Sequence, residues 1–476
     1  DNQGVNGNAS NEGSTYAALK IDFGSSSASR ATGDGPVGAY DDAEEGNEKD
    51  INDVRVIVTN EAGAIEYNGV ATKSTVGQQD YYMIKIQPGV KTFYAIVNGE
   101  ALKLTAPTAW GAQTVANVKA SDLYDYDEEG QGNGFAMASV AGVEQRIVDD
   151  ITEEEAQAGP TNKVNLTVER MVAKAKIKLA DALVGTDGFD QENFALQTLS
   201  AQIMNADNVD LSGTEPAYAG TYWMAYDDDN DVRKTPYYTY PTNGAASIVN
   251  IDETKLASGK AQTLYAPNEA TKNPSRRFYC LENTHAAGTY YMGNTTYLKL
   301  TATMIPNNLV TFGKTDNNIT VSNKTEDVTT ASTFYTITGG YDGDDTEKVY
   351  CVLASDLALA YDAIVGGEET EENAKVTAVL SVLDGAGYKM TEAYTNGQGI
   401  YRIPLNDLKE GANYVNIQPV FRNDWYDLSI IGIELPGDPA GEGFDPEEPF
   451  HQTTNVAMVV TVRQWNKVVY DDVELK

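Results

Sequence analysis

The chain is 476 residues long, enough for roughly two to four domains of ~100–200 residues each. Its 34 Lys and Arg stand against 70 Asp and Glu, a net charge of −36, which excludes a general nucleic-acid binder and argues against an anionic membrane surface as partner. With 2 His and 2 Cys it can build neither a multi-His metal centre nor a zinc finger nor a disulfide scaffold, while 41% hydrophobic residues mark a folded chain.

Asp1 to Asn8 are polar, with no basic n-region, no apolar h-region and no initiator Met. The chain reads as a mature or trimmed fragment whose leader is missing. No stretch approaches the ~20 apolar residues of a membrane helix. Period-two alternation, the mark of a half-buried strand, first occurs at 15–23 and puts Ala17, Leu19, Ile21 and Phe23 on one face. A Gly/Ser linker to Arg30 follows, then an acidic loop from Asp41 to Asp50. The next strand is expected at 53–58. Segments 81–86 and 91–97 flank Gln87-Pro88-Gly89-Val90, whose Pro and Gly supply turn dihedrals and predict a hairpin. Residues 164–179 read as one or two more strands.

Helical signals are few: 143–157, acidic with some 3–4 spacing, and 355–365, which begins at a plausible Ser355 cap. Further strands are expected at 194–204, 278–281, 297–304, 348–353, 374–383, 401–405 and 426–435. Residues 436–449 hold Pro436, Pro439, Pro446 and Pro449 with Gly437, Gly441 and Gly443. Such a segment cannot form helix or ladder interior and reads as an extended, acidic, solvated spacer. A last strand pair follows at 455–463 and 467–475. A strand joined by a cuttable linker at one end, and a tethered pair at the other, suggest a strand that can be removed and one that can reach out.

In chain order, residues 49–58, 84–98, 162–179, 293–298 and 422–426, and Val459-Val460-Thr461-Val462 with Trp465 and Tyr470-Asp471, resemble the fimbrillins, shaft subunits of Bacteroidales type V pili, in particular the short, Mfa-type subunit. The resemblance implies an all-β chain of two tandem transthyretin-like β-sandwich domains, with few short helices and a C-terminal donor-strand appendage. It divides the chain into a propeptide at 1–30, sandwiches at 31–186 and 187–436, and a linker with the donor pair at 437–476. It further implies export as a lipoprotein precursor, outer-membrane display in an adhesive, biofilm-forming fimbrium, and cleavage between Arg30 and Ala31 by an Arg-specific, gingipain-like protease. Identical subunits would then join head to tail, with accessory tip and anchor subunits. The displaced strand would carry Tyr16, Ala17, Leu19, Ile21 and Phe23. The donor would carry Val456, Met458, Val460 and Val462, with Val469, Val473 and Leu475 from its second strand.

The two ends make a workable device on physical grounds also. While tethered, the first strand has an effective concentration on the order of millimolar and outcompetes a donor from solution. Cutting the tether ends that advantage and leaves a groove of apolar surface and unpaired backbone groups, a template for an incoming strand. A head-to-tail contact of this kind propagates as a filament if its rotation does not close a ring.

Other residue clusters carry weaker signals. Asp227 to Asp231 resembles a calcium loop, but Val232 stands where Gly and Tyr238 where Glu is needed, so a solvated acidic loop is expected there and at Asp342-Gly343-Asp344-Asp345. His285 and His451 lack paired-ligand spacing. Cys280 and Cys351, both in expected strands, are compatible with buried free thiols or with a bridge. Tyr237, Tyr238 and Tyr240 suit sheet packing or a binding patch. No cofactor, metal or enzymatic motif is found. The function expected is that of a structural fimbrial shaft subunit. The alternatives are a tip or anchor subunit, or a surface β-sandwich module that binds glycan or protein.

Overall fold

The computed structural model describes residues 13–23, 37–38, 46–106, 114–116, 118–139, 141–180, 193–207, 209–210, 217–221, 251–267, 274–285, 288–410, 415–433, 435–450, 456–464, 468–470 and 473–475, with 37–38, 114–116, 209–210, 217–221, 408–410, 415–417 and the last three ranges as backbone only. Strands dominate, and the helices are short: α1 (Glu153–Ala158), α2 (Ala354–Leu359), α3 (Tyr361–Ile364) and α4 (Glu372–Gly385). The protein is all-β with a minority of helix.

The first sheet has nine strands. Along its main path run Ile65–Val70, Val54–Asn60, Gly89–Val97, Met137–Ser139, Lys163–Arg170, Thr15–Phe23, Gln79–Ile86 and Thr72–Val76, and Val143–Ile147 pairs beside Gly89–Val97. Alternation does the folding here. Ala17, Leu19 and Ile21 face a core that includes Val56, Val58, Ile84, Phe93, Ala95, Val164 and Leu166. The other face of the first strand is also covered, since Ala18 packs with Met83 and Ala156.

At Met171 the chain passes from this sheet into a second one. Lys163–Arg170 belongs to the first and Val172–Leu179 to the second, where it lies between Arg276–Leu281 and Asp424–Ile433. The second sheet continues through Val456–Gln464 to Val468–Tyr470 and Val37–Gly38, with Val473–Leu475 also on Val456–Gln464. A five-stranded sheet, Ala257–Tyr265, Phe194–Met204, Tyr297–Pro306, Gln398–Pro404 and Asp438–Pro439, supplies the opposing layer. Ala173, Ala175, Ile177, Leu179, Leu428 and Ile430 from one layer share a core with Leu199, Ala201, Leu300, Ala302 and Ile403 from the other, as in a sandwich.

Several expectations are corrected. Segments 79–86 and 89–97 do not pair as a hairpin. The first strand occupies one edge of Gln79–Ile86, and Val54–Asn60 occupies an edge of Gly89–Val97, so the Pro-Gly connection crosses between distant positions of the sheet. Residues 374–383, read as a strand, lie in α4, whose buried Val376, Val379 and Leu383 have helical spacing. They pack with α2 and α3 on a separate apolar cluster around Phe312, Ile337 and Val352. Within 143–157 a strand, Val143–Ile147, precedes the short α1. The strand Val172–Leu179, expected on the near side of a boundary at 186, pairs in the second sheet. Residues 436–449 are fastened to the body at several points rather than free, as described below, while most of 440–449 is exposed to solvent as expected. Both thiols are free and buried.

Leu19 is fully buried in the middle of its sheet. Leu19→Ala is expected to cost about 2–5 kcal/mol, read as an earlier urea midpoint of the intact chain.

Candidate assembly site

The first strand lies between two neighbours. It pairs in parallel with Lys163–Arg170 from Ala18 opposite Lys163 to Phe23 opposite Val168, and antiparallel with Gln79–Ile86 from Thr15 opposite Ile86 to Leu19 opposite Tyr82. Residues 18–19 are therefore paired on both edges, and 20–23 on one. The strand is held most firmly toward its start and least where it leaves for the linker.

A buried polar clamp closes the start. The Thr15 hydroxyl donates to the Val148 carbonyl (2.8 Å) and accepts from the Ile151 amide (3.0 Å) and from Asn162 Nδ2 (3.1 Å). Asn162 Nδ2 also donates to the carbonyls of Tyr16 and Val148, both at 2.9 Å, while its Oδ1 accepts from the Val148 amide at 2.8 Å. Asn162 sits at φ +56°, a left-handed conformation that Asn tolerates better than most residues. The Tyr16 amide donates to the Ile151 carbonyl and the Ala18 amide to the Asn162 carbonyl. The segment 148–162 thus folds over the strand, and α1, capped by Thr152 with Glu155, presses Ala156 onto Ala18. Just upstream, a Cβ on Gly13 would stand 2.2 Å from the Ile86 backbone, so only Gly fits there.

At the other end Phe23 is half-buried, with the Arg170 guanidinium 5.6 Å from its ring centre. A cavity of about 450 Å³ opens there, lined by Ile21, Phe23, Ile51, Asn52, Asp80 and Tyr82 among others.

Downstream of the linker the chain has its own anchor. The loop at 41–50 is acidic, yet its Glu48 is fully buried. Lys174 Nζ lies 2.9 Å from Glu48 Oε1 and the Tyr279 hydroxyl donates to the same oxygen at 2.6 Å. Arg170 Nε donates to the Glu48 carbonyl at 2.9 Å. Burial, with the Glu48 charge beside it, pushes the Tyr279 hydroxyl far up from its ordinary range. Asn47 binds the Asp125 carbonyl and the Asp127 amide through its side chain. Residues from 47 onward are therefore fixed independently of the first strand.

At the C-terminal end, Val456–Gln464 pairs antiparallel with Asp424–Ile433, with a bulge between Ile430 and Gly432. Val468–Tyr470 and Val473–Leu475 occupy its other edge over short stretches. The Pro-rich segment before it is tied down. Buried Arg402 bonds Glu253 at 2.7 Å, Asp438 Oδ2 at 3.0 Å and the Glu442 carbonyl at 3.1 Å. Burial opposes the Glu253 charge, but Arg402 and Lys299 outweigh it and hold that carboxyl below its ordinary range. The hydroxyls of Tyr401 and Tyr394 donate to the carbonyls of Leu435 (2.6 Å) and Gly437 (2.9 Å). Phe450 packs on Tyr297, ring centres 5.3 Å apart, and its amide donates to the Tyr290 carbonyl.

The sequence-predicted residues thus fall in two places. Tyr16, Ala17, Leu19, Ile21 and Phe23 lie in an interior strand of the first sheet. Val456, Met458, Val460, Val462, Val469, Val473 and Leu475 lie in the terminal strands of the second. One chain does not bring the two sets together. Arg30, Ala31, residues 227–240 and His451 lie outside the described residues. The sequence reading missed Asn162, Glu48 and Arg402. Only Asn162 had a local signal, the Pro160-Thr161-Asn162 turn; burial of the other two depends on partners over 100 residues away.

The family model described as "Major fimbrial subunit protein type IV, Fimbrillin, C-terminal" matches residues 392–471. Two curated relatives, both the minor fimbrium subunit Mfa1 of Porphyromonas gingivalis, are 23% identical over 490 aligned positions, covering 92% of this chain and 88% of theirs. Among solved structures, the fimbrilin FimA of Porphyromonas gingivalis is similar at 13% identity and a TM-score of 0.42, with 97% of this chain and 99% of that one covered. The tip fimbrial protein Mfa3 of the same organism, with a C-terminal truncation, gives 10% and 0.33, with 96% of this chain and 100% of that one covered. By these sequence likenesses the chain is similar to Bacteroidales fimbrillins of the Mfa type, and its residues 392–471 match the fimbrillin C-terminal model.

His285 supports the loop on which Phe450 sits. Its amide donates to the Tyr290 hydroxyl at 2.9 Å, and its Nε2 faces the Asn294 carbonyl at 3.1 Å. Burial lowers its pKa to about 4 from 6.5, against the opposing Asn294 bond. The unfolded chain thus takes up this proton first as pH falls, and stability drops from about pH 6.5 until about pH 4. Between pH 7 and pH 5 the loss from this group is about 2 kcal/mol. Unfolding free energies from urea titrations at the two pH values should differ by that much more in the native chain than in His285→Gln.

Proposed function

We propose that the chain is the precursor of a fimbrial shaft subunit that polymerises by protease-triggered strand exchange. The observation that carries this reading is the placement of the first strand. It is an interior strand, apolar on its core face, yet the chain that follows is anchored separately at Asn47 and Glu48. A cut after Arg30 can free the strand without loosening that anchor.

Loss of the strand would open a slot between Lys163–Arg170 and Gln79–Ile86. Backbone groups on both walls would lose their partners, and buried apolar side chains would meet water, so the slot favours any strand that refills it. The donor is residues 455–475 of a second copy. In its own chain the long terminal strand has one full partner, Asp424–Ile433, and short partners on its other edge. In the slot it gains two walls. The docked segment 435–450 gives it a fixed point of departure.

Two β-sandwich domains that meet near Met171 suit the two principal cores. Export as a lipoprotein precursor, display at the outer membrane, and assembly with tip and anchor subunits complete the reading. A donor at the C-terminus favours the shaft over the tip, because a tip receives no further subunit.

The test is treatment of the purified chain with an Arg-specific protease. Cleavage at Arg30 should yield SDS-resistant ladders, and Arg30→Ala should yield none. Ladders that form equally well without cleavage, or with residues 451–476 deleted, would contradict the reading.

A further inference from the structure

The slot is demanding enough to select a register. We propose that residues 454–462 of a second copy replace Thr15–Phe23 position for position, parallel to Lys163–Arg170. The inference rests on the strand-exchange reading above and adds to it the alignment of the two strands.

Three kinds of position decide. The Thr15 site needs a short hydroxyl side chain, because the Val148 carbonyl, the Ile151 amide and Asn162 Nδ2 all meet there. Leaving such buried groups without a partner is costly. The Ala18 site is closed by Met83 and Ala156 and fully buried, so a larger side chain would overpack it. The sites of Ala17, Leu19 and Ile21 face the core and require apolar groups.

The resident strand reads Thr-Tyr-Ala-Ala-Leu-Lys-Ile-Asp-Phe, and residues 454–462 read Thr-Asn-Val-Ala-Met-Val-Val-Thr-Val. Thr454 supplies the hydroxyl and Ala457 fits the closed site. Val456, Met458, Val460 and Val462 face the core. The extra volume of Val456 over Ala17 is offset by Val460 and Val462, each smaller than the residue it replaces.

Other alignments fail at one of these sites. With Val456 in the Thr15 site the hydroxyl is lost and Val459 enters the Ala18 site. With Gln452 there, Asn455 enters it. A shift of one residue exchanges the two faces and turns Thr461 or Asn455 toward the core. In the reverse direction, Thr461 can supply the hydroxyl, but Met458 then falls under Met83 and Ala156.

Cysteine cross-linking tests the register in the full chain. Lys20 lies opposite Asn165, which is exposed, and Val459 takes the Lys20 position. The cleaved double variant Asn165→Cys with Val459→Cys should give ladders that survive boiling without reductant. Its yield should exceed at least tenfold those of Asn165→Cys with Ala457→Cys and with Thr461→Cys, which report the two-residue shifts. Thr454→Val should slow ladder formation about tenfold, and Thr453→Val should not. Equal yields, or a preference for Ala457→Cys or Thr461→Cys, would overturn the register and leave strand exchange standing, provided the cleaved native chain still forms ladders. No ladder from the cleaved native chain would overturn both.

Discussion

A backbone amide or carbonyl inside a sheet must have a partner, and the strand from Thr15 to Phe23 supplies partners to two neighbours at once. Much of the first sheet depends on that. The strand contributes Ala17, Leu19 and Ile21 to the core and a floor at Ala18 for α1. It is nevertheless the first element among the described residues, and the linker to Arg30 follows it, so one cut there can turn it from a covalent part of the fold into a bound peptide.

The polar interior divides what such a cut would release from what would stay. Asn162 and Thr15 hold the start of the strand to segment 148–162 by hydrogen bonds alone, which a replacement strand with the right hydroxyl can remake. Glu48, Lys174 and Tyr279 form a buried charged cluster under the chain that follows the linker. Removing one partner of such a cluster costs several kcal/mol, so this region remains fixed. At the far end Arg402 plays the corresponding part, fastening the Pro-rich segment through Glu253 and Asp438.

Period-two alternation was legible wherever a strand has one face on a core. Phe194–Met204 was read to its exact bounds, and the face of the first strand was read correctly. Strand partners were not legible. The Pro-Gly turn at 87–90 has hairpin chemistry, but the free edge it would need is taken by a strand over 60 residues upstream. Residues 374–383 have strand-like apolar content, and only packing against α2 and α3 shows that Val376, Val379 and Leu383 form a helical stripe. Composition also misled at 436–449, where Pro and Gly suggested a free spacer. The carbonyls that Pro and Gly leave outside a ladder are taken up by Tyr394, Tyr401 and Arg402.

The net charge of −36 is not carried by the two strands of the proposed exchange: Thr15–Phe23 carries only Lys20 and Asp22, and residues 455–462 carry no charge. In the proposed filament, an acidic surface repeated along the shaft would oppose side-by-side association and leave the ends to join. The most direct measurement is amide hydrogen exchange at Lys163–Arg170 and Gln79–Ile86 in three samples: the intact chain, the cleaved polymer, and the cleaved chain without residues 451–476. Protection in the first two and its loss in the third would show that a neighbour's terminal strand refills the slot. Equal protection in all three would contradict it.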